Sequence, residues 1–370
     1  MTFGIITHAI HNEHKGEIFA YEPYVREMNL WAKYVDDIII LAPSSSKRPS
    51  KIEIAYKHPH IKVIEIPNFD ITSFKNTLKA ILVIPEIVFS IFKFMNRVDH
   101  LHLRCPGNIG LLACFVQMFF SSKPKTAKYA GNWDPNAKQP ITYKLQKWLL
   151  SNTFLTKNMK VLVYGEWPNQ SKNIKPFFTA SFSESEVKNV KPKEFTSTLN
   201  MVFLGSLVEG KQPLEAIKIA EALSQKSSDI RLDIYGDGPQ RALLQQYIIE
   251  HKLESIVSLK GNQPKEVIKQ SLSQAHFSIL PSKSEGWPKA IAEAMFFGVI
   301  PIATPVSCVP DMLDSEKRGI LLTNDFTADI NKLIPLLQDT ETLNKISKAA
   351  ATWSQQYTLE RFESEIAKLL

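Results

Sequence analysis

Cysteine is nearly missing from this chain: Cys105, Cys114 and Cys308 are three in 370 residues, and none stands at a metal-ligand spacing. A disulfide framework is therefore not expected, and the cysteine usage fits a reducing cytosol. No leader is expected either: Met1-Thr2-Phe3-Gly4 reads as a strand-like segment, with no basic stretch followed by an apolar one. We expect no signal peptide on that ground. Nor is there a long uninterrupted apolar run. The longest, Leu78 to Met95, is broken by Lys79, Pro85, Glu86 and Lys93, short of the roughly 20 mostly apolar residues that a membrane span needs. It reads either as a core helix or as one that dips an apolar face into a bilayer interface. Phe89, Phe92, Lys93, Phe94 and Arg97 carry the second reading.

Acidic charge is scarce in the first half. Residues 1–175 hold 23 Lys and Arg against 13 Asp and Glu, whereas the remainder holds 21 against 24, for a net charge of +7. A basic half suits an anionic partner: nucleic acid, a membrane or a charged substrate. The lysines are scattered and no recognition motif accompanies them, which argues against nucleic acid. An anionic membrane surface is the expected partner, with the protein cytoplasmic and peripheral on the inner face of the plasma membrane. The length allows two domains.

What is present is alternation. Strand-like runs at Phe3–Thr7, Asp37–Ala42, Ile61–Ile66, His100–Arg104, Lys125–Ala130 and Val161–Tyr164 alternate with helix-like runs at Glu17–Tyr34, Phe74–Arg97, Gly110–Phe120 and Thr142–Thr153. A second series starts at Asn200, with strands at Met201–Leu204, Arg231–Tyr235, Ile256–Leu259, His276–Leu280 and Val299–Ala303. Such alternation predicts parallel βαβ units. The Ser-, Lys-, Glu- and Pro-rich stretch between the series lacks periodicity and reads as a linker. The expected domains are 1–182, a linker at 183–199, a second domain at 200–352, and a terminal segment at 353–370 that includes an amphipathic run, Leu359–Leu370.

The most informative stretch is Pro281-Ser282-Lys283-Ser284-Glu285-Gly286-Trp287-Pro288-Lys289-Ala290-Ile291-Ala292-Glu293-Ala294-Met295. An apolar run precedes it as a buried strand. Pro288 suits the first position of a helix and Gly298 the position past its end. Glu285 then lies in a strand-to-helix loop and Glu293 on the first turns of the helix, both facing the crevice where doubly wound α/β domains bind ligands. The helix start also offers backbone N–H groups to a phosphate. Carboxylates for sugar hydroxyls beside an anion-binding helix end suggest a nucleotide-sugar pocket.

This run resembles the donor motif of retaining glycosyltransferases of family 4 (glycosyl transferases group 1): two glutamates separated by seven residues after a Pro-Ser pair. The resemblance covers residues 200–315 well and the first half loosely. It implies the GT-B fold, an α/β architecture of two Rossmann-like, doubly wound parallel-sheet domains facing a cleft, with the C-terminal helix crossing back onto the first domain. It also implies roles: Glu285 holding donor-sugar hydroxyls, Glu293 the ribose, and Lys211 the departing diphosphate. Gly205 and Ser206 belong to the family's first donor loop, where Ser206 stands in place of an Arg; Lys289 is the expected substitute. Gly236 lies in the turn near the nucleotide, and Gly261 and Asn262 in the segment that edges the base. Gly286, Trp287 and Pro288 complete the donor loop.

On the acceptor side the resemblance is looser. Gly16 stands where the family has a glycine loop approaching the donor phosphates, and His102 where it has a His near the transferred sugar. Arg104 is expected to point into the same crevice. Trp133 and Asp134 form a polar-aromatic segment that reads as an acceptor loop or as a simple turn. His8, His11 and His14 read as loop histidines rather than metal ligands.

No two aspartates are separated by a single residue, so the metal site of the other large glycosyltransferase fold is absent and no metal or other cofactor is expected. The implied reaction is transfer from a UDP- or GDP-sugar to a glycan or lipid-linked saccharide acceptor in surface polysaccharide synthesis. The acceptor hydroxyl attacks on the face from which the diphosphate leaves. A sugar-nucleotide epimerase of the same fold and a non-catalytic nucleotide-sugar-binding protein are the rival readings.

Overall fold

Both series of alternating strands and helices are realised in the computed structural model, which describes residues 1–50, 52–69, 74–195, 198–226 and 229–370. The chain forms two compact units, Met1–Phe177 together with Phe362–Leu370, and Phe178–Arg361.

In the first unit seven parallel strands form one sheet: β1 (Thr2–Ile6), β2 (Asp37–Ala42), β3 (Ile61–Glu65), β4 (His100–Cys105), β5 (Lys125–Tyr129), β6 (Met159–Tyr164) and β7 (Ile174–Phe177). Their order is β3-β2-β1-β4-β5-β6-β7. The helices are α1 (Glu22–Ala32), α2 (Phe74–Arg97), α3 (Asn108–Val116) and α4 (Ile141–Ser151). Ile87, Ile91 and Phe94 of α2, Ala113 of α3 and Leu149 of α4 share one core with Leu101 and Leu103 of β4. Residues alternate across a strand, so His100, His102 and Arg104 turn to the opposite face, where α1 packs.

The expected helix from Glu17 is corrected. Glu17–Tyr21 is a strand paired antiparallel with His11–His14, and α1 begins only at Glu22, with Pro23 in its first turn. The Ile18-Phe19 pair favours a strand, and Pro marks the true helix start. The apolar run Leu78–Met95 lies in α2, although the side chains of Leu78 and Lys79 fall outside the described residues. From Ala80 onward one face is core and the other exposed, so the core reading holds for the buried face.

The second unit repeats the plan with six parallel strands, β8 (Leu199–Leu204), β9 (Ile230–Tyr235), β10 (Val257–Gly261), β11 (Phe277–Leu280), β12 (Ile300–Ala303) and β13 (Ile320–Leu321), in the order β10-β9-β8-β11-β12-β13. Its helices are α5 (Pro213–Lys226), α6 (Arg241–Glu250), α7 (Lys265–Gln274), α8 (Lys289–Phe296), α9 (Val309–Leu313), α10 (Phe326–Leu337) and α11 (Thr340–Ser354), and α12 (Leu359–Ala367) ends the chain. Both sheets have the strand order of dinucleotide-binding folds, which reverses between β1 and β4 and between β8 and β11. Ligands of such sheets bind beyond the carboxyl ends of the strands at this reversal.

The stretch read as a linker is fastened to the second unit. Lys193 N donates to Asn344 Oδ1 at 2.8 Å, Lys193 Nζ donates to Ala275 O, and Gln355 Nε2 donates to Lys188 O at 2.9 Å. Burial lowers the Lys193 ammonium to a pKa of about 8. At the other end, Phe362 packs on Phe177 with ring centroids 5.3 Å apart, and Lys160 Nζ donates to Lys368 O at 3.0 Å. Trp353, which the sequence places with the terminal segment, belongs instead to α11 of the second unit.

Candidate functional site

Two loops meet at the strand reversal of the second unit. One leaves β8 through Gly205 and Ser206 into a 3-10 turn, Glu209–Lys211. The other runs from Pro281 to Pro288 and caps α8. Lys283 N donates to Gly210 O at 2.8 Å, and Lys283 Nζ to Glu209 Oε1 at 2.7 Å, so the loops are stitched together. Inside this frame Lys211 Nζ donates to both carboxylate oxygens of Glu285, at 2.6 and 2.7 Å. The Glu285 side chain is 6% exposed and the Lys211 side chain 30%. A carboxylate this buried needs a bonded counter-charge, and Lys211 supplies it.

The backbone around Glu285 is held from below. Ser307 Oγ and Cys308 Sγ donate to Gly286 O at 3.1 and 3.2 Å, and Thr304 Oγ1 donates to Ser282 O at 2.5 Å. Burial pushes the Cys308 thiol up to about 12, so it stays protonated as a donor. Ser282 Oγ is buried and makes no hydrogen bond.

Backbone close approach builds the neighbouring corner. Gly205 N donates to Tyr235 O at 3.0 Å and Gly236 N to Gly261 O at 2.9 Å. A Cβ on Gly236, whose φ is +134°, would stand 1.9 Å from Gly205 O. Only glycine fits there. Arg241, at the start of α6, reaches this corner: its Nη1 lies 3.7 Å from where a Cβ of Gly261 would be, and that nitrogen is buried without a hydrogen-bond partner. Ser206 and Asn262 are exposed at the rim.

Glu293 has separate company. It is the fifth residue of α8 and accepts from Ser181 Oγ at 2.5 Å. A small pocket here is lined by Ser181, Phe182, Trp287, Lys289, Glu293 and Tyr357. The two glutamates, expected in one crevice, thus sit in different polar environments, and Lys289 lines the one around Glu293. Trp287 stacks on Trp353 at 6.1 Å.

The acceptor-side candidates come out differently. His102 is wholly buried, with Nδ1 2.8 Å from Thr126 Oγ1 and its ring 4.6 Å from that of Trp31. Burial, then Arg104, holds its pKa well below the ordinary value, so it is a neutral core histidine and cannot touch a ligand. The strand alternation that exposes no face explains the miss. Arg104 forms an ion pair with Glu27 of α1 at 2.5 Å and lies 5.2 Å from the Tyr24 ring centre. Trp133 is buried too, its indole N–H donating to Gln170 Oε1 at 2.9 Å. Asp134 Oδ1 accepts from Asn136 N at 2.8 Å, the bond of an Asx turn, which is the simple-turn reading. Gly16 is the tip of the hairpin: Lys15 and Gly16 have φ of +53° and +80°, as a two-residue I′ turn requires. His11 is buried against Tyr56, with Nε2 2.8 Å from its hydroxyl.

Sequence reading missed Ser181 and gave Arg241 no role. The signal for Arg241 was its position just after the Gly236-Asp237-Gly238-Pro239 turn. For Ser181 there was none, because its partner lies 112 residues away.

Residues 184–353 match the family described as "Glycosyl transferases group 1". Among curated proteins, a protein of Escherichia coli K12 with the provisional name colanic acid biosynthesis glycosyltransferase WcaL is 29% identical over 181 residues, 46% of this chain and 45% of its own length. The amylovoran biosynthesis glycosyltransferase AmsK of Erwinia amylovora is 30% identical over 145 residues, 37% of this chain and 36% of its own. The chain thus spans less than half the length of these curated relatives. Among solved structures, Anabaena HepE in complex with UDP and glucose superposes with a TM-score of 0.69 at 14% identity, covering 100% of this chain and 98% of that one. Sucrose-phosphate synthase from Thermosynechococcus elongatus gives 0.68 at 16% identity, covering 100% and 98%. These likenesses show the fold, which is GT-B.

Proposed function

From the membership of residues 184–353 in the glycosyl transferases group 1 family, we propose that this chain is a retaining, metal-independent glycosyltransferase of surface polysaccharide or glycan synthesis. The donor is a UDP- or GDP-sugar and the acceptor a glycan or lipid-linked saccharide, met at the inner face of the plasma membrane. The observation that carries the reading is the Lys211–Glu285 pair at the strand reversal. A cation and a carboxylate held together there suit a diphosphate and a sugar hydroxyl respectively. On donor binding the Lys211 ammonium turns to the diphosphate, and Glu285 accepts from sugar hydroxyls. The anomeric carbon–oxygen bond to the phosphate breaks, the acceptor oxygen bonds to that carbon from the same face, and its proton passes to the departing phosphate oxygen.

Glu293 is read as the ribose ligand, with Ser181 holding its carboxylate until the donor arrives. Arg241 is read as the cation that replaces the Arg missing at Ser206, because its buried Nη1 lacks a partner beside Gly261. UDP bound in HepE favours UDP as the first nucleotide to test.

The chain is incubated with labelled UDP- and GDP-sugars, with and without EDTA. Transfer or slow donor hydrolysis that survives EDTA supports the proposal. Isomerisation of the sugar would make the chain an epimerase, and binding without turnover a binding protein. Activity lost to EDTA and restored by Mn²⁺ would overturn the metal-free reading.

A further inference from the structure

The helical face of the first unit formed by α2, α3 and α4 leaves large apolar side chains in water. Leu82 and Phe89 of α2, Phe119 after α3, Ile141 and Trp148 of α4, and Phe154 just beyond it are between 57% and 83% exposed. A contiguous exposed apolar face marks an interaction site.

The pieces are joined. Phe92 of α2 packs on Phe120 at 5.1 Å, tying α2 to the turn that carries Phe119. Gln117 Nε2 donates to Leu155 O at 3.2 Å, tying that turn to the loop that carries Phe154. The face is basic as well: Lys93 and Arg97 of α2, Lys144 of α4 and Lys157 beyond it are exposed, against Glu86 of α2. Lys93 Nζ stands 5.1 Å from the Phe89 ring centre, and Lys157 Nζ 5.1 Å from that of Phe154. Lysines that lay their stems over exposed aromatic rings keep the charged head in water while the ring enters an apolar layer. Among the described residues no helix is long and apolar enough to cross a membrane, so contact by this face is lateral.

We propose that the α2–α3–α4 face seats on an anionic bilayer surface, with Leu82, Phe89, Phe119, Trp148 and Phe154 entering the headgroup–acyl boundary and the flanking lysines meeting lipid phosphates. Charge complementarity selects this occupant: apolar and basic groups interleaved on one face match an anionic interface, whereas a second copy would set two basic faces against each other. The inference rests on the proposed function only for the idea that the acceptor is lipid-linked. The donor site lies in the other unit.

The full chain is floated with vesicles of phosphatidylcholine alone or mixed with phosphatidylglycerol. We expect binding to the anionic vesicles that weakens as salt is raised, since charge interactions reach only about 8 Å at physiological ionic strength. Phe119→Ser with Phe154→Ser should reduce it about tenfold, and Lys144→Glu with Lys157→Glu likewise, all with unchanged circular dichroism. UDP titration, which reads the second unit, should stay as in the parent, so a failure here is distinct from a failure of the donor reading. Equal binding to neutral vesicles, or indifference to the substitutions, would overturn the proposal. So would a parent dimer that Phe119→Ser with Phe154→Ser dissolves while vesicle binding persists, which would make the face a contact between copies.

Discussion

Lys211 and Glu285 satisfy each other, and this sets what each substitution does. Lys211→Met leaves a nearly buried carboxylate without its counter-charge. Because the ammonium is partly exposed, we expect a loss of about 1–3 kcal/mol in denaturant unfolding of the second unit. Adding Glu285→Leu should restore much of that, since replacing both partners by apolar groups removes the desolvation cost. Both variants should bind UDP-sugar at least about tenfold more weakly by calorimetry, each charge-assisted bond contributing roughly 1.5–3 kcal/mol. A double variant no more stable than Lys211→Met would mean that the pair contributes little to the fold. UDP-sugar affinity like the parent's would place the donor elsewhere.

At the level of elements, backbone contact decides more than side chains do. The ends of β8, β9 and β10 meet through Gly205, Gly236 and Gly261, and the Gly236 position leaves no room for a methyl group beside Gly205 O. Gly236→Ala should therefore cost on the order of 2–4 kcal/mol in unfolding of the second unit and displace the corner that Arg241 enters. Gly16→Ala tests the opposite case, for φ is +80° there but nothing lies within 4 Å of the added carbon. Only turn strain remains, so a loss of about 1 kcal/mol is expected in thermal unfolding. Comparable losses at the two glycines would contradict the assignment of close packing to one and turn geometry to the other.

For the molecule as a whole, pH is the revealing variable. Burial holds His11 and His100 at pKa values of about 4, and His102 well below its ordinary value. An unfolded histidine titrates near 6.5, so as pH falls below that value the unfolded chain takes up protons that the folded chain refuses. The stability from keeping these rings neutral is whole above about pH 6.5 and is lost between there and about pH 4, at about 1.4 kcal/mol per pH unit for each histidine. Denaturant midpoints, followed by fluorescence of Trp31 against His102, should fall accordingly. His100→Asn should flatten the slope by about one histidine's share, and an unchanged slope would assign the acid sensitivity to other groups.

The sequence by itself determined the βα alternation, because strands buried on both faces are continuous apolar runs such as Ile38-Ile39-Ile40-Leu41 and helices keep their own period. It also determined the loop that carries Glu285 and the start of α8, because Pro and Gly punctuate the chain locally. Only the tertiary structure decided which side chain meets which. Lys211 and Glu285 lie 74 residues apart and are brought together by the reversal of strand order. His102 and Trp133 looked like site residues and are core. The strand of His102 does alternate, His-Leu-His-Leu-Arg, but its polar side is covered by α1, so polarity there did not mark an open face. The polar stretch read as a linker is strapped down at Lys188 and Lys193, because backbone and amide hydrogen bonds to Gln355 and Asn344 leave no trace in hydropathy. Periodicity is written within a few residues, but pairing across a sheet reversal depends on register between distant segments.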